Sequence, residues 1–295
     1  KIFEGYLDTK LKNLMGKQGI TNIAITEKPS LALTPYRPKL LQLGVITLAL
    51  LVVGNFFLLL FFTMVDTTII NPSEIDRAIG RPPIGVVPIF KHPAGNDQPF
   101  LWLDQKDVLK LQNIYTNLFL KADQHRVIML SKSRMGEGST TLSYNLAAFM
   151  ATYQDKKVAL VDCHDDLPQL IGGESAERIN PQYEKIDARG ISIFKFIPDA
   201  AKSVQKIEDH FSILEDLKNT YDVVMVNMPP VANSPDMIFL QRYVDKALLV
   251  IEAEKTRLPI IRYNLSLLRD YGFNNPGTVL NKRRYHIPEL VYRYL

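Results

Sequence analysis

The stretch Ser131-Lys132-Ser133-Arg134-Met135-Gly136-Glu137-Gly138-Ser139-Thr140-Thr141 decides the fold. It lies between the apolar run Val127-Ile128-Met129-Leu130 and a helical pattern from Leu142 to Ala151. A phosphate-binding loop is built in this way, from a strand that stops at glycines and restarts as a helix with Ser/Thr in its first turn. Backbone N–H groups converge there, and the helix dipole favours an anion. Against the P-loop pattern G-x-x-x-x-G-K-[ST], Ser133 takes the first glycine position and Ser139 the lysine position. The sequence predicts a phosphate cradle, made by Gly136, Glu137, Gly138, Ser139, Thr140 and Thr141, that has lost its cation.

Outward from the loop the chain alternates strand and helix. Val127–Leu130, Val158–Val161, Val223–Val226, Ala247–Ile251 and Thr278–Leu280 read as strands, apolar throughout as strands buried on both faces are. Thr140–Tyr153, Phe211–Asn219, Met237–Tyr243 and Leu258–Tyr271 read as the helices between them. The predicted class is α/β, a doubly wound parallel P-loop sheet with helices on both faces. In such sheets ligand groups hang from the carboxyl ends of adjacent strands. Asp162 ends the second of these strands and Asn227 the third. Magnesium takes hard anionic oxygen; Asp162 offers it, whereas the neutral amide of Asn227 is a poor substitute.

Toward the N-terminus, Asp104 to Leu120 shows helical periodicity, Lys91 to Gln98 reads as a loop, and Pro82–Pro88 as a short strand. Asn71-Pro72-Ser73-Glu74 opens a short helix that Gly80 closes. Leu40 to Val65 contains no charged residue, and it exceeds the roughly 20 residues that cross a hydrocarbon core. It is predicted to span a membrane. Ile2, Tyr6, Leu7, Leu11, Leu14 and Met15 recur at helical spacing, with Gly19 as a stop; Ile20–Ile25 is strand-like, and Pro29, Pro35 and Pro38 mark an extended approach to the span. Residues 1–39 are thus expected to be the end of a periplasmic domain, 40–65 the transmembrane helix, 66–103 a juxtamembrane linker and 104–295 the cytoplasmic P-loop domain. Lysine and arginine are denser before the span than just after it, so the positive-inside rule alone gives the opposite orientation. The phosphate loop and the lone thiol outweigh that rule here. A chain that begins at Lys1 is expected to be a segment of a longer polypeptide.

Composition narrows the classes further. Forty-six per cent of the 295 residues are apolar, enough for a sizeable core. A net charge of +4, with Lys282-Arg283-Arg284 as the one basic block, argues against nucleic acid and reads as a solvated face. The single cysteine, Cys163, excludes an intramolecular disulfide, and no Cys/His spacing points to zinc.

The order of short motifs resembles a family. Ala32 to Arg37, Asp66-Thr67, Asn71-Pro72-Ser73-Glu74, Gly85-Val86-Val87-Pro88, Thr116-Asn117-Leu118, Gly136-Glu137-Gly138, Asn145-Leu146-Ala147, Val161-Asp162, Tyr221-Asp222, Pro229-Pro230-Val231 and Val279-Leu280-Asn281 follow one another as in the bacterial polysaccharide co-polymerases. These are membrane-spanning chain-length and export regulators that carry a cytoplasmic tyrosine-kinase module. The resemblance implies a bacterial inner-membrane protein that forms homo-oligomers through its membrane and periplasmic parts. It also implies a polysaccharide polymerase or synthase and an outer-membrane export channel as partners, and ATP with magnesium as cofactor if the site is retained.

The departures from that family bear on activity. Its loop reads G-E-G-K-[ST]-T, its second strand ends D-x-D and its third in aspartate; here Ser139, His164 and Asn227 stand instead. Its ring-assembly signature E-x-x-R-x-x-R corresponds to Leu109, Gln112 and Tyr115, and its tyrosine-rich tail to Tyr285, Tyr292 and Tyr294. The expectation is a degenerate, catalytically silent kinase fold acting as a scaffold, with no catalytic residue, no metal ligand and no cofactor. The alternatives are a tyrosine autokinase with a rearranged site and a nucleotide-dependent membrane-tethered switch. Lys132 and Arg134 are the cations nearest the vacant lysine position, and Asp165 and Asp166 the nearest spare carboxylates; all four read more simply as solvated. His164 reads as a hydrogen-bonding histidine, and the terminal tyrosines as closing a helix.

Overall fold

The computed structural model describes residues 2–18, 39–89, 105–120, 125–163, 177–180, 183–188, 190–196 and 211–284. The chain divides into two compact units, Lys1–Met64 and Val65–Leu295. The expected strand at Ile20–Ile25, His164, Asp165, Asp166 and the terminal tyrosines fall outside the described residues.

The first unit holds α1 (Ile2–Gln18) and α2 (Leu40–Val65). With 26 residues, α2 is about 39 Å long at 1.5 Å per residue, and its large apolar side chains are exposed along its whole length. It is the one helix among the described residues long and apolar enough to cross a membrane. Thr47, Asn55 and Thr63 turn their side-chain donors onto the carbonyls of Leu43, Leu51 and Leu59, four residues back. In a solvent without water this is how a polar side chain satisfies itself.

The second unit is built on one sheet. Its helices are α3 (Pro72–Ile79), α4 (Gln105–Tyr115, continuing as a π turn over Thr116–Leu120), α5 (Ser139–Tyr153), α6 (Ile213–Thr220), α7 (Met237–Leu240) and α8 (Leu258–Asp270). Its strands are β1 (Gly85–Pro88), β2 (Val127–Lys132), β3 (Val158–Asp162), β4 (Glu177–Asn180), β5 (Tyr183–Ala188), β6 (Ile191–Phe196), β7 (Val223–Pro230), β8 (Lys246–Glu252) and β9 (Gly277–Arg283). Their order is β1-β9-β8-β2-β7-β3-β6-β5-β4. Pairing is parallel from β1 through β6 and antiparallel for β6–β5 and β5–β4. The sheet is therefore a parallel P-loop core with an antiparallel edge, rather than parallel throughout. The stretch expected as a linker contributes α3 and β1 to this unit, with Ile75 and Val87 fully buried.

Alternate residues of each central strand serve opposite faces. Val127, Met129, Val224 and Val226 pack with Leu214, Leu217, Ile261, Leu265 and Leu268 of α6 and α8. Ile128, Leu130, Met225 and Val250 pack with Leu111, Ile114 and Leu118 of the α4 stretch and with Leu142, Leu146 and Phe149 of α5. Helices cover both faces, which holds the strand tips, and the loop that follows β2, in fixed register.

Candidate functional site

The site forms where β2 gives way to α5. Gly136 and Gly138 both take the left-handed region, at φ 84° and 86°, where glycine carries no steric cost. A Cβ on Gly138 would also lie 2.5 Å from Asn281 Nδ2, so glycine is required there twice over. The helix then starts at Ser139, the position of the missing lysine.

Four of the predicted residues meet in one buried network. Asp162 and Asn227 lie side by side in the register of β3 and β7, and with Ser139 they are fully buried. Asn227 Nδ2 donates to Asp162 Oδ1 at 2.8 Å and to Thr140 Oγ1 at 3.2 Å, while Ser139 Oγ donates to Asn227 Oδ1 at 3.2 Å. The amide orientation follows from its neighbours: a carboxylate can only accept, so the NH2 faces Asp162. Asn227 thereby points hydrogens, not lone pairs, at the two oxygens that a magnesium ion would need. As arranged, the donor set does not fit magnesium. Among the described residues, no cluster of three or more His, Cys, Asp or Glu side chains is placed to hold a metal.

Gly136, Glu137 and Gly138 belong to a second set of contacts. Glu137 is 2% exposed, and its carboxylate accepts from the backbone N–H groups of Ser133 at 2.6 Å and Arg134 at 3.1 Å and from the Thr256 hydroxyl at 2.6 Å. Burial pushes its carboxyl above the ordinary glutamate range, opposed by these three hydrogen bonds and reinforced by the nearby Glu252 charge. Two loop N–H groups are thus spent on the protein's own carboxylate. From β9, Asn281 Nδ2 donates to the Glu137 carbonyl at 2.8 Å, and Lys282 Nζ donates to the Gly136 carbonyl and pairs with Glu252 at 3.4 Å. Thr141, the last of the predicted loop residues, sits half-buried inside α5.

Lys282 corrects the reading of Lys282-Arg283-Arg284 as a solvated face, since its ammonium closes on the loop and Arg283 Nη2 reaches Asn71 Oδ1 at 3.3 Å. Of the two cations weighed for the vacant position, Lys132 is buried at the end of β2 and Arg134 is exposed. Leu109 and Gln112 are exposed on α4, whereas Tyr115 is half-buried and packs its ring edge-on against Phe149. Burial pushes the Cys163 thiol far above its ordinary range, with the Asp162 and Asp236 carboxylates adding to the rise. Sequence reasoning missed Thr256 and Lys282. The one available signal was Asn281, beside Lys282, in the Val279-Leu280-Asn281 motif.

No family model matches the chain. The tyrosine-protein kinase ptk of Acinetobacter johnsonii is 20% identical across 95% of this chain, and the chain spans 42% of that protein's length. The kinase domain of the Escherichia coli tyrosine kinase ETK superposes with a TM-score of 0.60 at 20% identity, covering 74% of this chain and 97% of the domain. The BceF tyrosine kinase domain does so with a TM-score of 0.58 at 22% identity, covering 72% and 98%. The fold is that of bacterial tyrosine-kinase domains. The matched portion carries the β2 loop, with serine where the P-loop pattern has lysine.

Proposed function

We propose that the chain belongs to an inner-membrane polysaccharide co-polymerase that controls chain length, assembly or export of a bacterial exopolysaccharide, and that its kinase-like domain is a catalytically silent scaffold. The observation that carries this reading is the closed Ser139–Asn227–Asp162 network. Phosphoryl transfer is positioning and charge stabilisation. A loop with a hydroxyl for its cation and an amide for its carboxylate supplies little of either. Losing one well-placed donor costs on the order of 3 kcal/mol of barrier, more than a hundredfold in rate, and two such losses bring turnover to background. On this reading α2 crosses the inner membrane with residues 1–39 in the periplasm and 66–295 in the cytoplasm. Self-association rests on the membrane and periplasmic parts, and a polymerase or synthase and an export channel are the partners. Nucleic acid is not among them.

The test is phosphate release and phosphotyrosine formation by the purified chain with magnesium or manganese. Background turnover is expected; turnover above a boiled control that is lost in Asp162→Ala overturns the reading. Cysteine labelling in cells tests topology: thiols placed near Lys17 react with an impermeant reagent, and thiols near Asp104 do not.

One observation favours a second reading, an autokinase with a rearranged site: the Lys282 ammonium reaches the loop from β9. Under that reading Lys282→Met abolishes turnover that the unsubstituted chain must first show.

A further inference from the structure

The loop is tied to the segment that leaves the membrane helix. The chain exits α2 at Val65, and within five residues it pairs with the 254–258 turn: Leu258 N–H donates to the Thr67 carbonyl at 2.9 Å, Ile69 N–H to the Thr256 carbonyl at 3.2 Å and Glu254 N–H to the Ile69 carbonyl at 2.8 Å. Thr68 forms an antiparallel bridge with Arg257. Thr256, 1% exposed, is held through its backbone by this segment and through its hydroxyl by Glu137 at 2.6 Å. The same Glu137 carboxylate occupies the N–H groups of Ser133 and Arg134.

We propose that Glu137 is the resident anion of this loop, that Thr256 is the positioning residue that keeps it seated, and that the segment Asp66–Ile70 sets where Thr256 stands. The proposal rests on the scaffold reading only in treating the loop as an anion cradle rather than a catalytic centre. A phosphate oxyanion and the Glu137 carboxylate compete for the same two donors, and like charges do not share them. A shift of the membrane exit pulls on the Thr256 backbone, withdraws the hydroxyl that fixes Glu137 and opens the loop to phosphate. The bistable element is one carboxylate, seated or released. That is the discrete device that coupling between distant parts of a chain requires.

The experiment uses the full chain in nanodiscs, with metal-free inorganic pyrophosphate as the titrant and backbone amide exchange at Ser133 and Arg134 as the second readout. Glu137→Ala is expected to bind pyrophosphate about tenfold more tightly than the native chain, the worth of about one charge-assisted hydrogen bond. Leu258→Pro removes the N–H bonded to Thr67 at a first helical position that tolerates proline, and Thr256→Val removes the hydroxyl. Both are expected to speed Ser133 and Arg134 exchange about tenfold, while Thr256→Ser, which keeps the hydroxyl, restores native exchange. Unchanged pyrophosphate affinity in Glu137→Ala overturns the resident anion. Unchanged Ser133 and Arg134 exchange in Thr256→Val, or native exchange in a folded Leu258→Pro, overturns the coupling; if Leu258→Pro does not fold, the Thr256→Val and Thr256→Ser pair decides. ATP turnover by the native chain sinks the scaffold reading and leaves these comparisons readable.

Discussion

The two halves of the β2–α5 loop have been treated differently. The half that enters α5, at Ser139 and Thr140, faces Asp162 at the end of β3 and Asn227 within β7, and is held by a neutral amide and two hydroxyls around one carboxylate. The half that leaves β2, from Ser133 to Gly138, faces β8 and β9 and is collared by Glu137, Thr256, Asn281 and Lys282. The first half has one carboxylate, Asp162, ringed by an amide and two hydroxyls, whereas the second is held by both a carboxylate, Glu137, and an ammonium, Lys282.

The sharpest way to break this contrast is to put a charge back on the neutral side. Asn227→Asp places a second carboxylate against Asp162, where the amide nitrogen now sits 2.8 Å away. An uncompensated buried charge of this kind costs about 3 kcal/mol or more, so urea unfolding at neutral pH is expected to show a loss of that size. The sign with pH follows: a carboxylate pair sharing one proton has a raised folded-state pKa, so stability is present at acid pH and lost as pH rises through that value. Adding Ser139→Lys supplies the matching cation, and the double variant is expected to regain most of the loss. Equal instability in single and double variants means that the two positions do not communicate.

On the collared side, Gly138→Ala forces a side chain into the left-handed region and onto Asn281, and a loss of about 2 kcal/mol is expected in the same assay. Thr256→Val removes one donor from a buried carboxylate, for about 1 kcal/mol. Lys282→Met is the mildest. Its ammonium pairs with Glu252 at 3.4 Å with the side chain 35% exposed, and solvent screening holds the expected change to less than about 1 kcal/mol. A larger effect from Lys282→Met than from Gly138→Ala shows that the collar works through charge rather than shape.

The central strands were legible because burial on both faces makes them apolar without interruption, as in Val158–Val161 and Val223–Val226, and each extends a residue or more beyond that run. β5 and β6 were not read. They lie toward the β4 end of the sheet, and polar residues interrupt their apolar runs, as in Ile191-Ser192-Ile193-Phe194-Lys195-Phe196. Asp162 and Asn227 were legible as candidates because each follows the apolar run of a central strand, Asp162 as the last residue of β3 and Asn227 with β7 continuing past it to Pro230. Thr256 and Lys282 were not, since they reach Glu137 and Gly136 across 119 and 146 residues of chain. No local spacing carries information over that distance.

The sheet order has a consequence for how this chain comes off the ribosome. β1 lies twenty residues past α2, yet its partner is β9, with Gly85 opposite Val279, and β9 pairs with β8 on its other side. The strand made first in this unit therefore waits, with Val87 unpaired, until β9 has been synthesised. Pairings of such long sequence separation form late and slowly. During that interval the unpaired strand can meet the unpaired strand of another nascent chain, and that is the hazard such a strand order carries.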